Sequence, residues 1–286
     1  MSMVERRPWL TALSHLILIL GVLVVAFPVY ITFIASTQTA AQILDTPMSL
    51  LPGNQFWNNY ATVLTGGAGG GAGSTAPVLR MMWVSFVSAM VIAIGKITIS
   101  MLSAFAIVYF RFPFKNLCFW MIFVTLMLPV EVRISPTYAV VASMGMINTY
   151  AGLTVPLIAS ATATFVFRQF FLTVPEELVE AARIDGAGPM RFFKDILLPL
   201  SSTSIAALFV IQFIYGWNQY LWPLLVTTNE NMYPVVIGIK HMIGGGDALN
   251  DWNLIMATTM LAMLPPALVI LLMQKWFVKG LVDAEK

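Results

Sequence analysis

Charge is what this sequence has least of. Asp, Glu, Lys and Arg together make up 10% of its 286 residues, against about a quarter in a soluble domain. So few charges cannot cover a water-soluble protein of this size. Apolar residues at 59% and a mean hydropathy of +0.84 make the bilayer the expected solvent. The spans should then be helices of about 20 apolar residues. The single cysteine, Cys118, excludes an internal disulfide, and its apolar setting reads as that of a small core residue. His15 and His241 stand far apart with no ligand cluster around them, so the sequence offers no metal site. No Gly-x-x-x-x-Gly-Lys-Ser/Thr loop occurs, which leaves nucleotide hydrolysis to another chain. The pI near 8.7 does not point to nucleic acid, because the net charge is only +2 and the basic residues are scattered.

Long apolar runs are what the chain does have. Arg6 and Arg7 precede one from about Trp9 to Ala35. A signal peptide's apolar region is only about 7–15 residues, so this run predicts a retained first transmembrane helix. Six spans can be drawn, at about Trp9–Ser36, Val78–Phe110, Asn116–Val140, Tyr150–Phe171, Leu200–Thr227 and Trp252–Phe277. With the N-terminus inside, the inner segments hold eleven basic residues and the outer ones hold Arg80 and Lys240. That bias predicts cytoplasmic termini. The first outer loop contains a Gly-rich run, Gly66–Gly73, expected to be flexible. Asp45, Pro47, Pro52 and Trp57 suggest order in the loop's first half. The outer loop from about Asn229 to Asp251 carries Gly244–Gly246 and is expected to hold a short re-entrant or surface helix.

The scarce charge is concentrated between Pro175 and Pro199, which falls on the cytoplasmic side. Glu176, Glu177, Glu180, Arg183, Asp185, Arg191, Lys194 and Asp195 all lie there. Pro175 stands where a helix can start, and the glutamates suit its positive end. Gly186 can take the positive φ of a helix end, and Pro189 can open a second short helix. Met190, Phe192 and Phe193 are expected as apolar knobs on that second piece. The predicted product is a helix–turn–helix elbow suited to a groove on a soluble partner.

This segment resembles the EAA motif of ABC importer permeases. It reads Glu180-Ala181-Ala182, three residues, Gly186, nine residues, then Ile196-Leu197-Leu198-Pro199. The resemblance implies an all-α membrane protein with six transmembrane helices, the type I (MetI-like) importer fold, and a cytoplasmic coupling helix. It implies a permease core over 78–277 with the coupling loop at 175–199, preceded by a helix and long periplasmic loop over 1–77 and followed by a cytoplasmic tail over 278–286. Glu180, Ala181, Ala182, Gly186, Phe192 and Phe193 would then serve ATPase coupling. The implied partners are a homologous second permease, two copies of a cytoplasmic ATPase and a periplasmic substrate-binding protein, in the lipid of a bacterial inner membrane. No cofactor is implied for this chain, because the ATPase would hold ATP and magnesium.

Tyr109–Pro113, Trp217–Pro223 and Gln274–Leu281 are similar to the carbohydrate-uptake branch of that family. Gly95–Thr98, Leu126–Ile134 and Lys279–Lys286 resemble its sn-glycerol-3-phosphate-importing members, which implies that cargo. A sugar or oligosaccharide is the alternative cargo. An ATP-independent transporter or a membrane enzyme is the alternative class.

Two ionisable residues lie deep in spans. Lys96 is ~21 Å from the cytoplasmic end of the second span, and Glu131 is ~22 Å into the third, at 1.5 Å per residue. An ionised group at such depth is costly unless paired or wet. Lys96 and Glu131 therefore form an ion pair, line a wet path for an anion, or are neutralised. Arg133, on another face from Glu131, would be free to meet a phosphate. Asn218 and Gln219 are candidates for the outward-facing path, within an aromatic cluster that also reads as an interfacial belt. Pro28, Pro129, Pro223, Pro265 and Pro266 are expected as kinks.

Overall fold

A computed structural model describes residues 8–66, 76–125, 130–243 and 250–283, and all regular structure among them is helical. Of the Gly-rich run only Gly66 is described, while Gly244–Gly246 and Pro129 lie outside the described residues. Three apolar runs form single long helices: α1 (Pro8–Ser36), α4 (Val78–Tyr109) and α15 (Trp252–Asp283). Between α1 and α4 stand α2 (Ala40–Leu44) and α3 (Phe56–Thr65), the ordered half of the first loop. Gly66 ends α3 at φ +82°.

The remaining expected spans are divided. The third consists of α5 (Lys115–Val124) and α6 (Val130–Ser143), with residues 126–129 outside the description. The fourth is drawn in the sequence as one run, Tyr150–Phe171. It is instead α7 (Tyr150–Thr154), a 3-10 turn at Val155–Leu157, and α8 (Ala161–Leu172), bent by 48°. Pro156 explains the break, because it has no N–H to give to the carbonyl four residues back. That carbonyl, on Gly152, accepts from the Trp222 indole at 3.0 Å.

The fifth expected span is also interrupted. Helix α12 (Ser202–Trp217) stops, Asn218–Tyr220 are non-helical, and α13 (Leu221–Val226) follows. Pro223 therefore lies in the first turn of a new helix, where a missing N–H costs nothing, and not at a kink. Helix α14 (Val235–Met242) lies in the stretch from Asn229 to Asp251, where a short helix is expected.

The charged segment forms the expected elbow. Helix α9 (Glu176–Ile184) ends at Asp185, and α10 (Pro189–Phe192) starts after Gly188. A π turn over Phe193–Leu197 leads into α11 (Leu198–Leu200). The widened turn precedes Pro199, whose ring would otherwise crowd the carbonyl four residues back. The chain then bends by 73° into α12.

The chain divides into two compact units. One comprises Met1–Val78 and Ile239–Ala262. Its polar hub is Asn59, which donates to the Ser36 and Gln38 carbonyls, each at 2.9 Å, and accepts from the Asn253 amide at 2.9 Å. These bonds tie α3 to the end of α1 and the start of α15. The other unit comprises Leu79–Gly238 and Met263–Lys286. There α4 is packed closely where glycines allow it. A Cβ on Gly216 would lie 2.9 Å from the Ala89 Cα, and one on Gly95 would lie 2.8 Å from Ile158 Cγ2.

Gly216→Val is therefore expected to force α12 off α4 and destabilise the unit by about 1–3 kcal/mol, as overpacking does. Gly21→Ala, in open space on α1, is expected to be neutral or mildly stabilising. Thermal unfolding in detergent would compare the two.

Candidate functional site

Two places in the second unit combine polar chemistry with accessible space. The first is the elbow. Helix α9 has Glu176 and Glu177 in its first turn and Arg183 in its last, matching its dipole at both ends. Its C-terminus is closed by two backbone bonds, Ala187 N–H to Ala182 O at 2.8 Å and Gly186 N–H to Arg183 O at 3.0 Å. That closure is a Schellman motif and requires positive φ at its left-handed residue. Gly186 has φ +69° with nothing within 4 Å of where a Cβ would stand. Backbone conformation, not space, demands glycine there.

The elbow's side chains divide into two sets. Glu180 and Ala181 face outward, with Ile184 at 85% exposure and Met190 at 63%. Ala182 and Phe192 face inward and are buried, and Phe193 is half-buried. The sequence predicts Phe192 and Phe193 as apolar knobs on display, with Ala182 beside them in the coupling surface. The structure corrects that arrangement. Phe192 meets the Tyr109 ring edge-on at 5.3 Å, and Phe193 lies 5.0 Å from Phe105, so both hold the elbow against the end of α4. Ala182 packs in the same apolar cluster, where a larger side chain would disturb the core. Beside this contact runs a groove of about 360 Å³, with Arg111 and Arg183 among its lining residues. Sequence reasoning missed Ile184, although an apolar residue between Arg183 and Asp185 was a visible signal.

The second place is a cavity of about 610 Å³. Lys96 of α4 and Arg133 of α6 both line it, with Gln212 and Tyr215 of α12. The Lys96 ammonium lies 3.6 Å from the centre of the Tyr215 ring, a cation–π contact worth about 2 kcal/mol where water is excluded. Lys96 itself is buried, while Arg133 is exposed. Further polar lining comes from Ser103 of α4, from Thr125, and from the start of α8: Ser160, Thr162 and Thr164. Ser160 caps that helix, its Oγ accepting from Ala163 N–H at 3.2 Å. Its carbonyl accepts from Ser100 Oγ at 3.1 Å and from Thr164 Oγ1 at 2.9 Å. The break after Pro156 thus opens the positive end of α8 into the cavity, and such an end favours anions. No carboxylate is among the described lining residues.

The structure brings Lys96 and Arg133 together on one cavity. The Glu131 side chain lies outside the described residues, and with it the expected pairing to Lys96. Asn218 and Gln219 do not line the cavity. Asn218 ends α12, and the Gln219 side chain donates to the Tyr215 carbonyl at 3.1 Å. The polar residues of this stretch that do reach the cavity are Gln212 and Tyr215. Gln212, the one amide inside the apolar run of α12, was the available signal.

The family of binding-protein-dependent transport system inner membrane components matches residues 96–283. The chain belongs to that family. Relatives from Brucella melitensis biotype 1 and Agrobacterium fabrum are each 61% identical to it over 284 residues, covering 99% of this chain and 100% of theirs. One from Salmonella typhi is 59% identical over the same length. All three carry the name sn-glycerol-3-phosphate transport system permease protein UgpE. A chain from the crystal structure of a bacterial ABC transporter involved in import of the acidic polysaccharide alginate has a TM-score of 0.76 at 18% identity. That match covers 97% of this chain and all of the other, and it establishes the fold. The chain is thus a MetI-like ABC permease subunit, a non-catalytic membrane component that works with other transporter subunits.

The two sets of elbow side chains should respond differently to truncation. Phe192→Ala is expected to cost about 3–5 kcal/mol, as a buried aromatic does. Ile184→Ala is expected to change stability by less than about 0.5 kcal/mol. Unfolding of the purified chain measures both.

Proposed function

We propose that this chain forms, with a homologous second permease, the translocation path of an importer for sn-glycerol-3-phosphate and its glycerophosphodiesters. The observation that carries this reading is the cavity bearing Lys96, Arg133 and the positive end of α8, with no described carboxylate in its lining. That combination suits a phosphate ester. A guanidinium grips phosphate oxygens in a fork, an ammonium adds a point charge, and helix N–H groups complete the shell. A neutral sugar gains nothing from two cations. The names of the full-length relatives support the same cargo.

ATP hydrolysis on two copies of a separate cytoplasmic ATPase drives the cycle, and those subunits hold ATP and magnesium. A periplasmic binding protein delivers the cargo. The chain sits in the bacterial inner membrane with both termini cytoplasmic, in keeping with the excess of basic residues on that side. Residues 78–277 are the permease core. Glu180 pairs with a basic residue of the ATPase, Ala181 allows close approach, and Ile184 and Met190 supply the apolar contact. Gly186 sets the angle of the elbow. Phe192 and Phe193 pass its motion to α4.

Lys96→Met and Arg133→Gln are each expected to lower uptake of labelled sn-glycerol-3-phosphate roughly ten- to a hundredfold, the loss of one charge-assisted contact of about 1.5–3 kcal/mol. Assembly with the ATPase should be unchanged. Full uptake by both variants, or competition by maltose-like sugars as strong as by unlabelled substrate, would sink the assignment. A bulky side chain at Ala181 should hold the two surfaces apart. Ala181→Leu is therefore expected to lose the ATPase on co-purification while the permease pair stays together.

A further inference from the structure

We infer that the segment around Leu50–Trp57 is a lipid-docking collar, seated in the membrane–water boundary at the C-terminal end of α1. Trp57 is 83% exposed and Leu51 74%, with Leu44 and Leu50 each more than half exposed. So large an apolar surface on an ordered segment calls for a cover.

The geometry identifies the cover. Helix α1 has the length and apolarity of a membrane span, and almost none of it is covered by the rest of the chain. The segment after it does not continue away from the helix end. Tyr30 Oη donates to the Leu50 carbonyl at 2.7 Å. Tyr30 lies six residues before the end of α1, ~9 Å along the axis, and helix side chains lean further toward the N-terminus. Leu50 and Leu51 therefore stand beside the last turns of the span, not beyond them.

That placement is clamped. The Gln38 amide donates to the Ser49 and Leu51 carbonyls at 2.9 and 3.1 Å, and Gly53 N–H donates to Thr37 Oγ1 at 2.8 Å. Aromatic rings continue the surface from one element to the next. Phe33 of α1 lies 6.4 Å from Phe56 of α3, and Phe56 meets Trp57 edge-on at 5.1 Å. Asp45 is the only charged residue from Ser36 to Gly66. An uncharged strip with Tyr and Trp, continuous with a helix of membrane-span length and apolarity, matches the interfacial zone, where apolar side chains sink about 5–10 Å into the boundary.

Nitroxide labels can test this in the assembled, reconstituted complex, with Cys118→Ser and the partner cysteines replaced. Leu51→Cys and Trp57→Cys report on the collar, and Asn54→Cys, at an exposed polar position, is the reference. Oxygen, which partitions into lipid, should relax the labels at 51 and 57 more than a nickel chelate does. The balance should be reversed at 54. Water-like collision at either 51 or 57 overturns the inference. So does shielding from both reagents, which marks a protein partner on this surface.

Discussion

A helix that stops inside an apolar slab leaves backbone groups with no water to bond, at a cost of several kcal/mol for each one left alone. Much of the second unit can be traced to one such stop, at Pro156. The carbonyl it frees on Gly152 is taken by the Trp222 indole, which ties α13 to α7. The next helix is restarted by Ser160, whose own carbonyl is held by Ser100 and Thr164. Gly95 lets α4 come close enough for those bonds to form. Once α8 begins there, its unpaired N–H groups need somewhere polar to point. The cavity beside Lys96 and Arg133 provides it.

The same constraint makes Lys96 tolerable. A buried ammonium on an apolar helix is expensive, and the Tyr215 face offsets part of that cost. An aromatic face is a weaker partner than a carboxylate and surrenders the ammonium more readily to an arriving anion.

The backbone of the elbow was legible in the sequence, because it obeys local rules. Gly at a left-handed position, Pro at a first helical turn and carboxylates at a helix start are signals that need no tertiary context. The direction of Phe192 was not legible. Whether an aromatic on a short helix faces a partner or its own chain depends on what stands behind it, here Tyr109 and Phe105. Lys96 and Arg133 stood out because charge is rare in these spans. Gln212 and Tyr215 did not, since a nearly all-apolar helix has no polar face to mark which side is inward. The breaks at Ile158–Ser160 and Asn218–Tyr220 were hidden for a related reason. Hydropathy runs straight through the first, where only Pro156 hints at the stop, and at the second the polar pair Asn218 and Gln219 reads equally well as a lining of the path.

The two places share their framework. Helix α4 carries Lys96 and, thirteen residues or ~20 Å later, Tyr109 against Phe192. Helix α12 follows the elbow directly and carries Gln212 and Tyr215 into the cavity. A displacement of the elbow therefore bears on one wall of the cavity through ring contacts and on another through the covalent chain. One contact between those walls is Lys96 on Tyr215. It joins α4 to α12, and it is weak enough to break without unfolding either helix. Motion at the elbow and the grip on an anion would then be set by the same pair of side chains.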